Sequence, residues 1–262
     1  ILPIIGLRRP ARKGHPIFNR SRNEIIGVSS CRGFPYKHEW LMTQTCGWCH
    51  CFREPEKFGI SGIPTALISE SDFMGVTSVE PKPSPKYDFI WACKGTNTQK
   101  ISKNLDLMLK CLPIMKEMGL TGYVIGHPDH ALAKQYGSRI QFLTKLSWRR
   151  LMNKVTDCKF AFFPNKMDAS PRFMAEALSL NIPVIVNQEI YGGWKYVNDN
   201  TGQFFNSQYD VKEAILRLYD SSDLRPREWW YDHYGPRRAS KQLGTFISKI
   251  RPDIDIARAH FS

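Results

Sequence analysis

Short apolar runs alternate with segments that repeat apolar positions every three or four residues from Tyr87 onward. Phe89–Cys93, Tyr123–Ile125, Ile140–Leu143, Phe160–Phe163, Val184–Val186 and Gln203–Phe205 read as strands. Between them the pattern predicts helices. Ile101–Met118 keeps Leu105, Met108, Leu109 and Leu112 on one face, and a shorter helix ends at Tyr136. Ser147–Val155 opens with an N-cap serine, and Ser170-Pro171 opens a helix that Asn181 and Pro183 stop. Val211–Tyr219 and Ala239–Ile250 complete the set. Strands and helices in this order predict a doubly wound parallel α/β sheet.

The first 80 residues are less regular. Asn23–Ser30 and Ile63–Ile68 read as strands, and Ile1–Leu7 is at most a strand leading into a basic loop. His38–Phe52 reads as a weak helix interrupted by Gly47. Pro81, Pro83 and Pro85 stiffen the stretch Val79–Lys86 into an extended connector. The expected division is a short amino-terminal unit, 1–80, and a larger one, 81–262.

Composition narrows the class. The chain has 262 residues, is 42% hydrophobic and carries a net charge of +13. That describes a globular protein that attracts anions: polyanions, acidic membranes or phosphorylated small molecules. No apolar run reaches the roughly 20 residues of a membrane span, and Ile1–Ile5 is too short for a signal-peptide core. The expectation is a cytoplasmic protein without a transmembrane helix. Its basic arm (Arg8, Arg9, Arg12, Lys13, Arg20, Arg22) would also suit peripheral contact with an acidic membrane. Seven cysteines, an odd number, read as reduced thiols and not a disulfide framework. Cys46-x-x-Cys49-x-Cys51 with His50 has one metal knuckle and no partner pair, so no metal site is expected.

The candidate chemistry gathers at strand ends. Asp168-Ala169-Ser170-Pro171-Arg172 leads from a strand into a helix, where free amides and the positive helix end can hold a diphosphate. Arg172 adds a fork-shaped cation matched to phosphate oxygens. Glu176 lies one turn further on the same face, placed to accept two ribose hydroxyls or simply to pair with Arg172. Lys94-Gly95 follows the first strand of the sheet and Lys103 starts the next helix. His127, Thr144 and Lys145 end neighbouring strands and would line the same crevice. Neither G-x-G-x-x-G nor a P-loop occurs, which removes the main support for a dehydrogenase or NTPase.

About residues 60 to 250 resemble the nucleotide-sugar-binding half of a GT-B glycosyltransferase, with its Rossmann-type sheet beside a shortened amino-terminal α/β domain. The likeness is greatest to the family 4 (group 1) enzymes, marked by two acids separated by seven residues. Asp168 stands where the first glutamate of that family stands, Glu176 matches the second, and Ala177-Leu178…Pro183-Val184-Ile185 continues the pattern. Ile68-Ser69-Glu70-Ser71-Asp72 resembles the interdomain segment. Ser170-Pro171-Arg172 with Glu176-Ala177-Leu178 is also similar to the exostosin-like family 47.

The resemblance implies a transferase that moves a sugar (hexose, or pentose such as xylose) from a UDP-type donor to a glycan hydroxyl in glycan or glycoprotein biosynthesis. Glu176 would bind the ribose; Lys94, Lys103 and Arg172 the diphosphate. The Leu143–Lys145 backbone would face the base, and Asp168 the sugar. Cations and helix amides would stabilise the leaving diphosphate, so no metal or other cofactor is obligatory. An inverting reaction, as in family 47, needs a general base; His15, His38, Glu70 and Asp72 are candidates, with His15 and Asp72 favoured by their loops. A retaining reaction, as in family 4, needs none. Two other readings are a nucleic-acid-binding module, which no recognition motif supports, and a degenerate donor-binding subunit.

Overall fold

The computed structural model describes residues 4–6, 25–29, 39–93, 96–127 and 129–253. His15, His38, the basic arm and Lys94-Gly95 lie outside these. Among the described residues ten strands form two parallel sheets. The smaller one has the order β1 (Ile4–Gly6), β2 (Ile26–Val28), β3 (Gly47–Cys49), β4 (Thr65–Ala66). In the larger one β5 (Tyr87–Ala92), β6 (Gly122–Ile125) and β7 (Ile140–Leu143) run outward in one direction. On the other side of β5 lie β8 (Cys158–Phe163), β9 (Val184–Asn187) and β10 (Gly202–Phe205) in turn. All the larger sheet's pairings are parallel. Counted from β5, this is the 3-2-1-4-5-6 order of a doubly wound sheet.

Helices cover both faces of the larger sheet. On one side α4 (Trp148–Val155), α5 (Arg172–Ser179) and α7 (Pro226–His233) bury Met152, Val155, Met174, Leu178 and Trp230 against Ile90, Ala161 and Val184. On the other, α2 (Leu105–Glu117), α3 (His130–Tyr136) and α6 (Val211–Asp220) bury Met108, Leu112, Tyr136 and Ile215 against Phe89, Phe160 and Phe162. Strands buried on both faces read as continuous apolar runs, which is why CKFAFF and VIVN show no alternation. A fully buried Phe or Leu contributes about 1.5–3 kcal/mol.

Four local expectations are corrected. The helix expected over 101–118 is two: α1 (Asn97–Ser102) and α2, broken at Lys103-Asn104. Asn104 takes a left-handed conformation (φ 51°), and its side chain accepts from the Leu107 amide at 3.4 Å as the N-cap of α2. The weak helix over 38–52 is a 3-10 segment, Glu39–Gln44, followed by strand β3. Gly47 is not a helix breaker there. Its site lies under the last helix, α8 (Gly235–Ile250), and a Cβ would come within 2.8 Å of the Phe246 ring. Leu243, Phe246 and Ile247 of α8 pack on Ile26, Val28 and Cys49, so the end of the chain returns to the smaller sheet. Of the strand expected over 63–68, only Thr65–Ala66 forms. Ser147 occupies the N-cap position of α4 but makes no capping hydrogen bond.

The stretch 69–79 is clamped between the sheets. Trp230 donates to the Met74 carbonyl at 3.0 Å, and the Val76 amide donates to Ser179 Oγ at 3.1 Å. The cluster Trp229-Trp230-Tyr231 therefore serves packing: Trp230 is buried against Tyr196, ring centroids 5.0 Å apart.

Candidate active site

Connections from β5 and β8 run to opposite sides of the sheet, so a crevice opens between their carboxyl ends. The loop after β8 descends into it, and α5 begins there. Pro171 takes the N-cap position, and Arg172 is the first helical residue. The Arg172 guanidinium is exposed and makes no hydrogen bond or ion pair among the described residues. The loop's conformation is held from behind: the Gly192 amide donates to the Asp168 carbonyl at 2.9 Å. A Cβ at Gly192 would overlap the Ala169 carbonyl, and one at Gly193 would meet Pro171 Cγ at 2.4 Å. The pair of glycines lets the β9–β10 loop lie directly on the start of α5.

Glu176 is 8% exposed on the inner side of this helix. Burial raises its carboxyl pKa, and a hydrogen bond from Trp148, with Arg172 and Lys103 nearby, opposes that rise. Trp148 Nε1 donates to Glu176 Oε1 at 2.9 Å. Asp168, at the loop's centre, pairs with Lys103 and accepts from Asn165 Nδ2 at 2.8 Å. The break before α2 delivers Lys103 to this point. Lys103 and Asp168, read separately as diphosphate and sugar ligands, thus hold each other in this structure.

The remaining expected residues divide. His127 follows β6 half-buried; burial, then Lys100, lowers its pKa, and Asp129 at 4.0 Å opposes this. Thr144 and Lys145 are exposed beyond β7, the outer strand, two strands away from β5. Ser170 does not face the crevice freely: its Oγ accepts from the Ser71 amide at 2.9 Å and bonds Ser71 Oγ at 3.0 Å.

Asp72 is corrected outright as a general base. It is 0% exposed and binds Lys195 Nζ at 2.7 Å, the Ser69 amide at 2.9 Å and the Tyr196 hydroxyl. A carboxylate so enclosed cannot receive a proton from an incoming hydroxyl. Burial, reinforced by Asp72, pushes the Tyr196 phenol well above its ordinary value.

Trp148 escaped the sequence reading, though one signal marked it: an aromatic followed by two arginines in a polar run. His50 was read there only as part of the cysteine knuckle. It follows β3, is 6% exposed, and its Nδ1 has no hydrogen-bond partner among the described residues. Burial, then Lys195, lowers its pKa, so it is neutral at pH 7. The adjoining Cys51 carbonyl accepts from Trp194 Nε1 at 2.9 Å, which joins this strand end to the β9–β10 loop. Cys49 is buried, its thiol pushed up to about 12. Among the described residues no group of His, Cys, Asp or Glu is arranged to hold a metal ion.

Three solved structures share this architecture. The pneumococcal O-GlcNAc transferase GtfA in complex with UDP and GlcNAc superposes with a TM-score of 0.63 at 13% identity, over 86% of this chain and 52% of that one. The GtfA/B complex gives 0.70 at 12% identity, over 95% and 57%. The lipopolysaccharide outer core galactosyltransferase WaaB gives 0.62 at 14% identity, over 86% and 68%. The chain has a GT-B glycosyltransferase fold.

This chain spans about half the length of the first structures it matches. No family model matches it, and no curated protein matches it in sequence. In GT-B terms, β5–β10 form one of the fold's two sheets and β1–β4 the other. No helix among the described residues is long and apolar enough to cross a membrane.

Proposed function

We propose that this chain is the donor-binding part of a glycosyltransferase that moves a sugar from a nucleoside diphosphate, UDP in the first instance, to a glycan hydroxyl. One observation carries the reading. The buried carboxylate of Glu176 and the unpaired guanidinium of Arg172 share the start of α5, at the switch point of a GT-B sheet. The UDP complex of a neighbouring structure supports the choice of nucleotide.

In this reading Glu176 accepts the ribose hydroxyls. Arg172 and Lys103 bind the diphosphate. His127, Thr144 and Lys145 border the base side. The bond between the sugar C1 and the β-phosphate oxygen breaks, and its electron pair passes to the diphosphate. Arg172 and Lys103 stabilise the charge that develops there. The acceptor oxygen forms the new bond to C1. Its proton passes to a base in an inverting reaction, or to the departing diphosphate in a retaining one. Asp168 meets the sugar once the diphosphate has drawn Lys103 away from it.

Calorimetry with UDP tests the binding step, and a thermal-shift screen of nucleotide sugars followed by turnover tests the transfer. Absence of heat at high micromolar UDP would sink the reading. Donor hydrolysis without transfer would favour a donor-binding subunit.

A further inference from the structure

Ser170 stands midway between Asp168 and Arg172 in the chain. Its carbonyl accepts from the Arg172 amide at 2.9 Å, so a shift of Ser170 carries the start of α5 with it. Behind it lies a closed set of hydroxyls. Ser71 is fully buried and donates its amide to Ser170 Oγ at 2.9 Å. Its own Oγ lies 3.0 Å from Ser170 Oγ and 3.1 Å from the Tyr196 hydroxyl. Ser69 Oγ, also buried, lies 3.1 Å from Ser71 Oγ, 3.2 Å from that hydroxyl and 3.3 Å from Asp72 Oδ1.

Proton bookkeeping orders this set. The Tyr196 phenol has a single proton to share among Asp72, Ser71 and Ser69. The carboxylate takes it, because a bond to a charged acceptor is the stronger one. Ser69 donates to the same carboxylate. The Tyr196 oxygen then accepts from Ser71, and the Ser71 oxygen accepts from Ser170. Donation thus runs from Ser170 through Ser71 and Tyr196 to Asp72, each link strengthening the next. Ser170 begins the chain and has no proton left over. Ionised phosphate oxygens only accept, so this hydroxyl is not their ligand.

We propose that Ser170 is a positioning residue: through Ser71 and Tyr196 it ties the start of α5 to the buried Asp72, and so fixes where Arg172 meets the donor's diphosphate. The inference rests on the transferase reading above. Without the tie the loop leaves the binding arrangement part of the time, and apparent affinity falls with the fraction that keeps it. One neutral hydrogen bond sets the size of that fall, about three- to tenfold.

The test is calorimetric titration with UDP of wild type, Ser170→Ala, Ser170→Thr, Ser71→Ala and the double alanine variant. Cooperative melting of each shows that it is folded. Ser170→Ala should bind UDP more weakly by about three- to tenfold. Ser170→Thr, which keeps the hydroxyl, should bind as wild type does. Ser71→Ala, buried beyond reach of any ligand, should lose as much as Ser170→Ala, and the double variant no more than either alone. Unchanged UDP affinity in Ser170→Ala, whatever its melting temperature, overturns the positioning role and leaves the transferase reading intact. A loss in Ser170→Ala that Ser71→Ala does not share, or losses that multiply in the double variant, also overturn it and return Ser170 to direct contact with the phosphate. Failure of wild type to bind UDP overturns both.

Discussion

Lys195 Nζ lies 2.7 Å from the carboxylate of Asp72, with the two side chains 5% and 0% exposed. The pair joins the segment after β4 to the loop that supports the start of α5. Lys195 also donates to the Leu67 carbonyl at 3.0 Å. Removing one partner from such a pair leaves a buried charge uncompensated, a loss of about 3–5 kcal/mol. Asp72→Asn should lower the denaturant midpoint accordingly, and Lys195→Met should do the same. A catalytic base would behave otherwise, losing turnover with the midpoint unchanged.

Glu176 makes the opposite trade. Its folded carboxyl is raised above the ordinary glutamate value, so the folded state binds its proton more tightly than the unfolded chain. Folding is therefore penalised once pH rises above the unfolded value near 4.5, and fully so above the folded value. Glu176→Gln should melt higher than wild type at pH 7, with the difference vanishing below about pH 4. The same variant should lose transfer, because a neutral amide is a weaker ribose acceptor. In wild type, UDP affinity should fall on acidification as Glu176 takes its proton, with Trp148, Arg172 and Lys103 the neighbours that hold that proton off.

Arg172 makes no hydrogen bond or ion pair among the described residues and is coupled only through space to Glu176, so its removal should change stability by only about 0.5 kcal/mol. Arg172→Ala should weaken UDP and pyrophosphate alike, by about tenfold or more, since a bond to a charged group is worth about 1.5–3 kcal/mol. Arg172→Lys should recover only part of this, because an ammonium cannot fork across two phosphate oxygens. Calorimetry at two salt concentrations separates the guanidinium from general attraction, which falls with salt.

Gly47 is a packing residue. Gly47→Val should destabilise by about 1–3 kcal/mol, because its side chain would enter space held by Phe246 and Ile250. Limited proteolysis should then cut α8 before the larger sheet's helices. Phe246→Ala in the same background should restore part of the loss. Equal protease resistance of Gly47→Val and wild type would refute the docking of α8 on β3.

Much of the architecture was legible because local and tertiary demands agree. CKFAFF and VIVN are strands in any setting that buries both faces, and Asn181 with Pro183 ends α5 by its own backbone preferences. Arg172 and Glu176 share a face by helical periodicity alone. The smaller sheet was less legible. β3 and β4 are three and two residues long, too short for a period to register, and they exist because β2 and α8 pack on them. A left-handed Asn104 broke a helix whose apolar spacing runs through the break.

The sequence by itself determined the parallel α/β class and the shared face of Arg172 and Glu176 on α5, since both rest on periods within a few residues. Only the tertiary structure decided which polar groups are free. Asp72 and Ser170 are taken by partners 123 and 99 residues away, Lys103 and Asp168 by each other across 65. Trp148 joins Glu176 across 28. A side chain's chemistry is local, but its availability depends on burial and on partners that chain distance conceals.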